Sequence, residues 1–513
     1  MMRRFLAICL LICLALTGCA DPGQEAYVPT GNGLTWDEDY TGPVATTPIE
    51  ENYQELVLTF YPDVTMNPIT CTDFTNRALF SLIYQGLFCV DRSYNAQPML
   101  CKRYKVSDDM LSYTFYIENA TFSDGSYLTA EDVVASLQAA RGSSYYGGRF
   151  GQINDILLSE DGGITINLNT PYENLPLLLD IPIIAADELE SDRPLGTGPY
   201  TFQGSSLGGA LKKRTDWWCK ATLPIEQDSI RLICAESITQ IRDSFEFSDL
   251  SLVCADPSSD RYVDYRCDYE LWDCESGVFL YLACSVDSPV FSIPEIRQAL
   301  TYAIDRDTLA DDHYHGFARS ASLPASPLSP YYSQSLASKY EYDPVKFVQA
   351  VQQAGMTNAE VTLMVNKDDS LRLRVARDIA QMLEDGGLHV VIKEADTEYY
   401  KASLQVRTYD LYLGQTKLSP NMDLSPFFHT TGSLSYGGVN NSEIYELCQQ
   451  SLENHGNFYT LHKTIMDTGA LCPVLSCSYA VYANRGLLNT LSPARDNIFY
   501  YSIGKTIDKA LVQ

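Results

Sequence analysis

Three kinds of side chain in this 513-residue sequence could do chemistry by type and spacing: close histidines, paired carboxylates and cysteines. His313-Tyr314-His315 sets two imidazoles where one metal ion could bridge them. No acidic or thiol partner stands at ligand spacing beside the pair, which reads as a surface turn after a helix. The other histidines (His389, His429, His455, His462) are isolated. Asp108-Asp109 and Glu131-Asp132 could act as acid and base. With 65 Asp+Glu against 36 Lys+Arg, such pairs arise freely, and the second stands at a helix start, where the dipole favours acids. Fifteen cysteines include no C-x-x-C pair, so neither a zinc ribbon nor a thioredoxin-like motif is supported. Gly196-Thr197-Gly198-Pro199-Tyr200 lacks the Lys-Ser or Lys-Thr of a phosphate loop, and no G-x-G-x-x-G is present. Catalysis is unsupported, and the expectation is a protein with no enzymatic activity, metal or cofactor.

The elements around these residues are more informative. Tyr113, Phe115 and Ile117 alternate with Thr114, Tyr116 and Glu118, which predicts a strand with one apolar face. Asp124-Gly125 marks a turn. Thr129 and Asp132 have capping-box spacing, opening a helix with apolar Val133, Val134 and Leu137. Ile164 to Asn169 alternates as a strand. Positions 296, 299, 300, 303 and 304 make one helical face. Tyr342-Asp343-Pro344 supplies an N-cap and an N1 proline for a helix that stops near Gly355. Leu371, Val375, Ile379 and Leu383 form a further stripe ended by Gly386-Gly387, after which Leu388, Val390 and Ile392 alternate as a strand. The class is therefore mixed α/β.

At the N-terminus, Arg3 and Arg4 precede an apolar run from Phe5 to Leu16. The run has signal-peptide length and is too short to span a bilayer. It closes with Leu16-Thr17-Gly18-Cys19, a quartet that looks like a bacterial lipobox, in which the Cys19 thiol is acylated. The alternative is an ordinary cleaved signal with an incidental cysteine. Residues 1–18 are read as the lipoprotein signal peptide and 19–54 as a flexible acidic tether, with no Lys or Arg between Arg4 and Arg77. The expected location is extracytoplasmic, lipid-anchored to the bacterial cell membrane. The formal charge of −29 has the wrong sign for a nucleic-acid binder; it suits solubility and could favour cationic ligands. About 460 residues remain after residue 54, enough for two or three lobes. Twelve cysteines lie there, and export permits disulfides, but the number alone fixes no pairing; buried free thiols are the other reading.

Several segments, in order, resemble the extracellular solute-binding proteins of family 5, the dipeptide, oligopeptide and nickel receptors of ABC importers. They are Val106 to Ala140, Tyr84-Gln85-Gly86-Leu87, Gly196-Thr197-Gly198-Pro199-Tyr200 and Ile296 to Arg306. The resemblance covers most of Leu56 to about Leu452. It implies a type II periplasmic-binding-protein clamshell, α/β, with two lobes and an extra subdomain. Carried over, domain I is 55–70 with 195–278 and 478–513, domain II is 71–194 and domain III is 279–477. It also implies a substrate-binding lipoprotein, a monomer, that captures short peptides between the lobes and delivers them to ABC permease subunits. Nickel complexes, another small solute, or peptide sensing without transport are the alternatives. The implied contacts are Tyr84, Gln85 and Gly86, then Ser285 and Val286 after a strand at Phe279–Ala283. Asp423, in Asn421-Met422-Asp423-Leu424-Ser425-Pro426, is the counterpart of an aspartate that holds a peptide's ammonium; a capping role is the other reading. Trp272 could floor the pocket or pack in the core.

Overall fold

The computed structural model describes residues 55–499 apart from 206–207, 224, 226, 235–236, 259–262, 438–441, 486–490 and 496. The signal peptide, the tether and Cys19 lie outside the described residues. A small sheet joins Leu56–Thr59, parallel, to Ser229–Ile233, and continues antiparallel through Gly208–Lys213 and Tyr200–Ser205. A second sheet orders Cys101–Val106, Ser112–Ile117, Ile164–Leu168 and Ile153–Leu158, all antiparallel. Its inner face buries Tyr113, Phe115, Ile164 and Ile166, following the period-2 pattern. Against it packs the helix Ala130–Arg141. Thr129 and Asp132 cap that helix reciprocally: the Thr129 hydroxyl accepts from the Asp132 amide, and the Asp132 carboxylate accepts from the Thr129 amide at 2.9 Å. The Asp124-Gly125 turn forms as predicted, with φ +92° at the glycine.

The third sheet is the spine. Its path runs Leu252–Ala255, Cys472–Asn484, Tyr269–Cys284, Leu411–Lys417, Glu360–Asn366 and His389–Ala395. The last two strands are parallel and are linked by the helix Ser370–Asp385, whose buried Leu371, Val375, Ile379 and Leu383 are the stripe seen in the sequence. A tight turn at Gly386-Gly387, the second at φ +97°, returns the chain to the sheet. Tyr269–Cys284 and Cys472–Asn484 are long, 16 and 13 residues. The strand expected at Phe279–Ala283 thus begins ten residues earlier and contains Trp272. Its first part pairs with residues 478–484 beside Leu252–Ala255. Its second part pairs with Leu411–Lys417. Between the two lies a bulge from Glu275 to Phe279, with Gly277 at φ +72°. There the Ser276 hydroxyl donates to the Cys477 carbonyl at 2.7 Å, which meets a donor need the ladder leaves open at a bulge.

Separate apolar cores form on either side of that bulge. One gathers the first two sheets, including Leu82, Tyr113, Ile183, Tyr200 and Leu211. Two others pack the helices of residues 294–468 on the far part of the spine. No disulfide joins the twelve described cysteines, and most of them are buried, in keeping with the reading as small apolar residues. His313 and Tyr314 sit in the last turn of the helix Arg306–Tyr314, one residue earlier than the turn expected for them. His313 pairs with Asp378 at 2.6 Å. Among the described residues no helix is long and apolar enough to cross a membrane.

Candidate ligand-binding cleft

Two cavities meet beside the bulge and share Tyr145, Arg149 and Arg495. The larger, about 290 Å³, has one wall from Ser144, Tyr145, Gly148 and Arg149, in the turn that follows the capped helix. Its other wall is Thr416–Ser419 with Asp423, Pro426, Phe427 and Leu434. The smaller, about 90 Å³, is bounded by Arg77, Tyr84, Gln85, Gly86 and Asp180 among others.

Each cation in this cleft is fixed by a different piece of chain. Arg149 lies in the short 3-10 turn Gly147–Phe150 and is only 6% exposed; it pairs with Asp180. Gly86 lets that partner come close, because a Cβ at residue 86 would stand 2.9 Å from the Asp180 carbonyl carbon and from the Ile181 oxygen. Arg495 is 4% exposed and donates to the Leu418 carbonyl. It fills the space above Gly277, where a Cβ would meet its guanidinium carbon at 2.7 Å. Beside it the Tyr94 hydroxyl donates to buried Glu275 at 2.6 Å. Burial and the facing Glu275 carboxylate push the Tyr94 phenol well above its usual value, so it remains a donor. Tyr145 spans the two walls. The Arg77 guanidinium lies 3.3 Å from its ring centroid, and the Lys417 ammonium lies 4.3 Å from that centroid and donates to its hydroxyl at 2.7 Å. Such cation–π contacts, partly desolvated, are worth about 1–2 kcal/mol each.

The residues singled out in the sequence divide into two groups. Tyr84, Gln85, Gly86 and Asp423 line the cleft; Trp272, Ser285 and Val286 line neither cavity. Trp272 is half-buried, pairs with Val481 and packs on the first core. Ser285 is wholly buried, with its amide bonded to the Asp410 carbonyl, and the Val286 amide bonds to Gly437.

Within the first group, much of the polar capacity is already used. The Tyr84 hydroxyl donates to the Met66 carbonyl at 2.9 Å and its phenol is raised by burial. The Gln85 oxygen accepts from Thr197 at 3.1 Å and from the Trp218 indole at 2.9 Å. Thr197 comes from the Gly196-Thr197-Gly198 loop, and the two glycines are explained by the same contact. A Cβ on either would run into the backbone of Ile83, and the Gly198 amide bonds the Ile83 carbonyl at 2.8 Å. Two sequence motifs more than a hundred residues apart are therefore one packed joint.

Asp423 follows Met422, which is held at φ +54°, and accepts from the Ser425 amide at 2.8 Å. Burial raises its carboxyl, and the bonds from Ser425 pull it partly back. It keeps some exposure, and that exposure faces the larger cavity. A carboxylate so placed can cap its own turn and still accept from a ligand, since it has about four lone-pair sites.

Arg77, Tyr145, Arg149, Lys417 and Arg495 escaped the sequence reading. The local signal was the run Tyr145-Tyr146-Gly147-Gly148-Arg149, aromatic and cationic around two glycines after a well-capped helix. Nothing local marks Arg495, which the fold alone brings to the bulge.

Comparison with known proteins bears on what such a cleft holds. A sequence match to bacterial extracellular solute-binding proteins, family 5 Middle, spans residues 95–438. The glutathione-binding protein GsiB of Escherichia coli K12 is 25% identical over 358 residues, which are 66% of this chain and 69% of that protein. Among solved structures, the ABC transporter substrate-binding protein CtaP of Listeria monocytogenes aligns with TM-score 0.72 at 19% identity, over 87% of this chain and 98% of that one. The oligopeptide-binding protein AppA of Bacillus subtilis, solved with a nonapeptide, gives 0.61 at 18% identity over 87% and 97%. NikA of Brucella suis, in complex with Fe(III)-EDTA, gives 0.71 at 16% identity over 88% and 99%. These likenesses identify the fold as the mixed α/β type II periplasmic-binding clamshell.

Proposed function

Since this chain belongs to the bacterial extracellular solute-binding proteins of family 5, we propose that it is the receptor lipoprotein of an ABC importer, anchored through Cys19, which takes a short peptide into the cleft between residues 144–149 and 416–434. Proteins of this family bind peptides or other small solutes and deliver them to ABC permeases. The peptide and the lipid anchor are this chain's proposed particulars. The lobes we assign are domains I and II together, 55–278 with 478–513, against domain III, 279–477. The bulge at Gly277 and the facing Cys477 support that division.

The observation that carries the reading is the cleft itself. Asp423 stands on one wall and faces a tyrosine-and-arginine wall on the other, close to the one point where both long strands pass between the cores. A solute that touches both walls binds the closed arrangement better than the open one and shifts the population toward it. The difference in affinity limits the shift. A ligand ammonium at Asp423 supplies part of it, because a charge-assisted bond in a desolvated site is stronger than one in water. Relatives named for glutathione binding or solved with a nonapeptide favour a peptide-like occupant.

The test is to purify the full chain in mild detergent, extract it with acid and identify co-purified solutes by mass spectrometry. Thermal shift is then measured across a di- to pentapeptide library. A recovered peptide, or one that raises the melting temperature, is expected. Absence of both overturns the peptide reading. Asp423→Ala should weaken amine-bearing ligands by roughly thirtyfold or more; unchanged affinity leaves Asp423 as only the cap of Ser425. Hydrolysis of the peptide by pure protein would return the molecule to the enzymes.

A further inference from the structure

The charge of the cleft runs against the charge of the chain. Acids outnumber bases 65 to 36 over the sequence. Among the described residues around the two joined cavities the ratio inverts: Arg77, Arg149, Lys417 and Arg495 stand against Asp180 and Asp423. Counting Glu275, which lies behind the wall and is bonded to Tyr94, the cations still lead. They come from four separate stretches of chain, so no single local motif gathers them.

Arg149 and Arg495 are each more than nine-tenths buried. Desolvating a guanidinium is costly, and replacing a whole buried ion pair by apolar side chains is often neutral or stabilising when its only duty is structural. Here both border both cavities. Arg149 has its Asp180 partner, and Arg495 is tied to the Leu418 carbonyl. Each is oriented by the protein before a ligand arrives, which lowers the ordering cost of binding. A planar guanidinium held this way matches a carboxylate or a phosphate. Lys417 adds a third positive charge at the outer, wider cavity.

We infer that the captured solute carries net negative charge, with one oxyanion group seated at Arg149 and Arg495 and a second facing Lys417. The inference rests on the receptor reading above and narrows its ligand to acidic solutes, for which a carboxylate or a phosphate could supply the oxyanion. An exterior rich in carboxylates then serves solubility, while the field of the cleft selects the ligand.

Isothermal titration of the full chain in mild detergent, at fixed ionic strength, tests this with a matched panel. The probes are a glutamyl tripeptide, its side-chain- and C-terminally amidated counterpart, a lysyl tripeptide, citrate and a sugar phosphate. At least one anionic probe should bind about tenfold or more tighter than the amidated tripeptide, with the lysyl tripeptide weakest. Citrate against the sugar phosphate tells carboxylate from phosphate recognition. Arg149→Gln strands Asp180 and could unfold the turn, so Lys417→Gln, on the more open rim, is the informative variant. It should lose about tenfold for the anionic probe and clearly less for the amidated tripeptide, both measured where circular dichroism shows the variant folded, since its contact with the Tyr145 ring is lost as well; an equal loss for both probes overturns the inference. If the amidated or lysyl tripeptide binds as tightly as the anionic probes, the inference is overturned and the receptor reading stands. If no probe binds and nothing co-purifies, the receptor reading itself fails and takes the inference with it.

Discussion

His462 is an imidazole with nowhere to put a proton. It lies in the helix Phe458–Thr468, is fully buried, and neither ring nitrogen has a hydrogen-bond partner. Phe458 is its ring neighbour, with centroids 5.7 Å apart. Burial depresses its pKa from 6.5 to about 3. In the unfolded chain it returns to about 6.5. The unfolded state therefore binds more protons than the native state between those values, and stability falls as pH drops through that window. At pH 7.5 the effect is close to zero. At pH 5 the loss is about 2 kcal/mol, and at pH 3 it is about 4 kcal/mol. The pH 5 figure barely depends on the folded value, because a folded pKa of 2 or 4 changes it by about 0.1 kcal/mol. Replacing the ring by an apolar side chain removes both the titration and two orphaned polar atoms, which cost about 1–3 kcal/mol each when buried unmade. His462→Leu should be the more stable protein at pH 7.5, and its advantage should widen by about 2 kcal/mol at pH 5. Urea unfolding of both proteins at both pH values, followed by far-UV circular dichroism, isolates the term, since every other titrating group cancels in the difference. A widening below about 0.5 kcal/mol would mean that the imidazole is protonated in the fold after all.

Three further outcomes follow from particular contacts. Gly277→Ala puts a Cβ against the Arg495 guanidinium at a positive φ; it should cost roughly 1–2 kcal/mol. That cost should shrink in the Arg495→Ala background, a coupling that a double-mutant cycle measures directly. Gly198→Ala brings a Cβ to 2.6 Å from the Ile83 carbonyl carbon. Backbone meets backbone there, so a loss of about 3 kcal/mol in the urea midpoint analysis is expected, and a loss under about 1 kcal/mol would show that the loop can back away. Thr129→Ala removes one half of a reciprocal cap and should cost about 1 kcal/mol, read from the same denaturation curves.

What was legible in the sequence was whatever local period and turn chemistry encode. The Thr129 cap, the Asp343-Pro344 helix start and the Leu371 to Leu383 stripe all appear as read, because each is decided within a few residues of itself. The long strand was read short. Its first half holds Asp273, Cys274, Glu275 and Ser276 between apolar residues, so the sequence loses alternation just where the strand bulges and changes partners. Ser285 and Val286 are placed in the cleft by the family resemblance and Trp272 by its position just before the same strand, while the strand's pleat and pairing set all three elsewhere. Asp423 and Tyr84–Gly86 do border the cleft. The cations could not be found in this way: Arg77, Arg149, Lys417 and Arg495 meet only after hundreds of residues of chain have been folded around one another, and an isolated arginine in an acidic sequence carries no local mark of its neighbours.

The pairing of the two long strands also dictates an order of events at synthesis. Trp272 must find Val481, and Tyr269 must find Asn484, although the whole of residues 285–471 lies between them. Contacts of such separation are slow to form, since the loop must close before they return any free energy. The intervening segment holds its own helices and most of the residues of two apolar cores, and it can begin to collapse while the chain is still emerging. Residues 269–275 of the spine, by contrast, wait without their described strand partners until residues 478–484 are made. An exposed edge of that kind invites wrong pairing with another chain. The vulnerable moment in the life of this protein thus falls late, while both parts of the spine still lack the strand Cys472–Asn484 that runs through them.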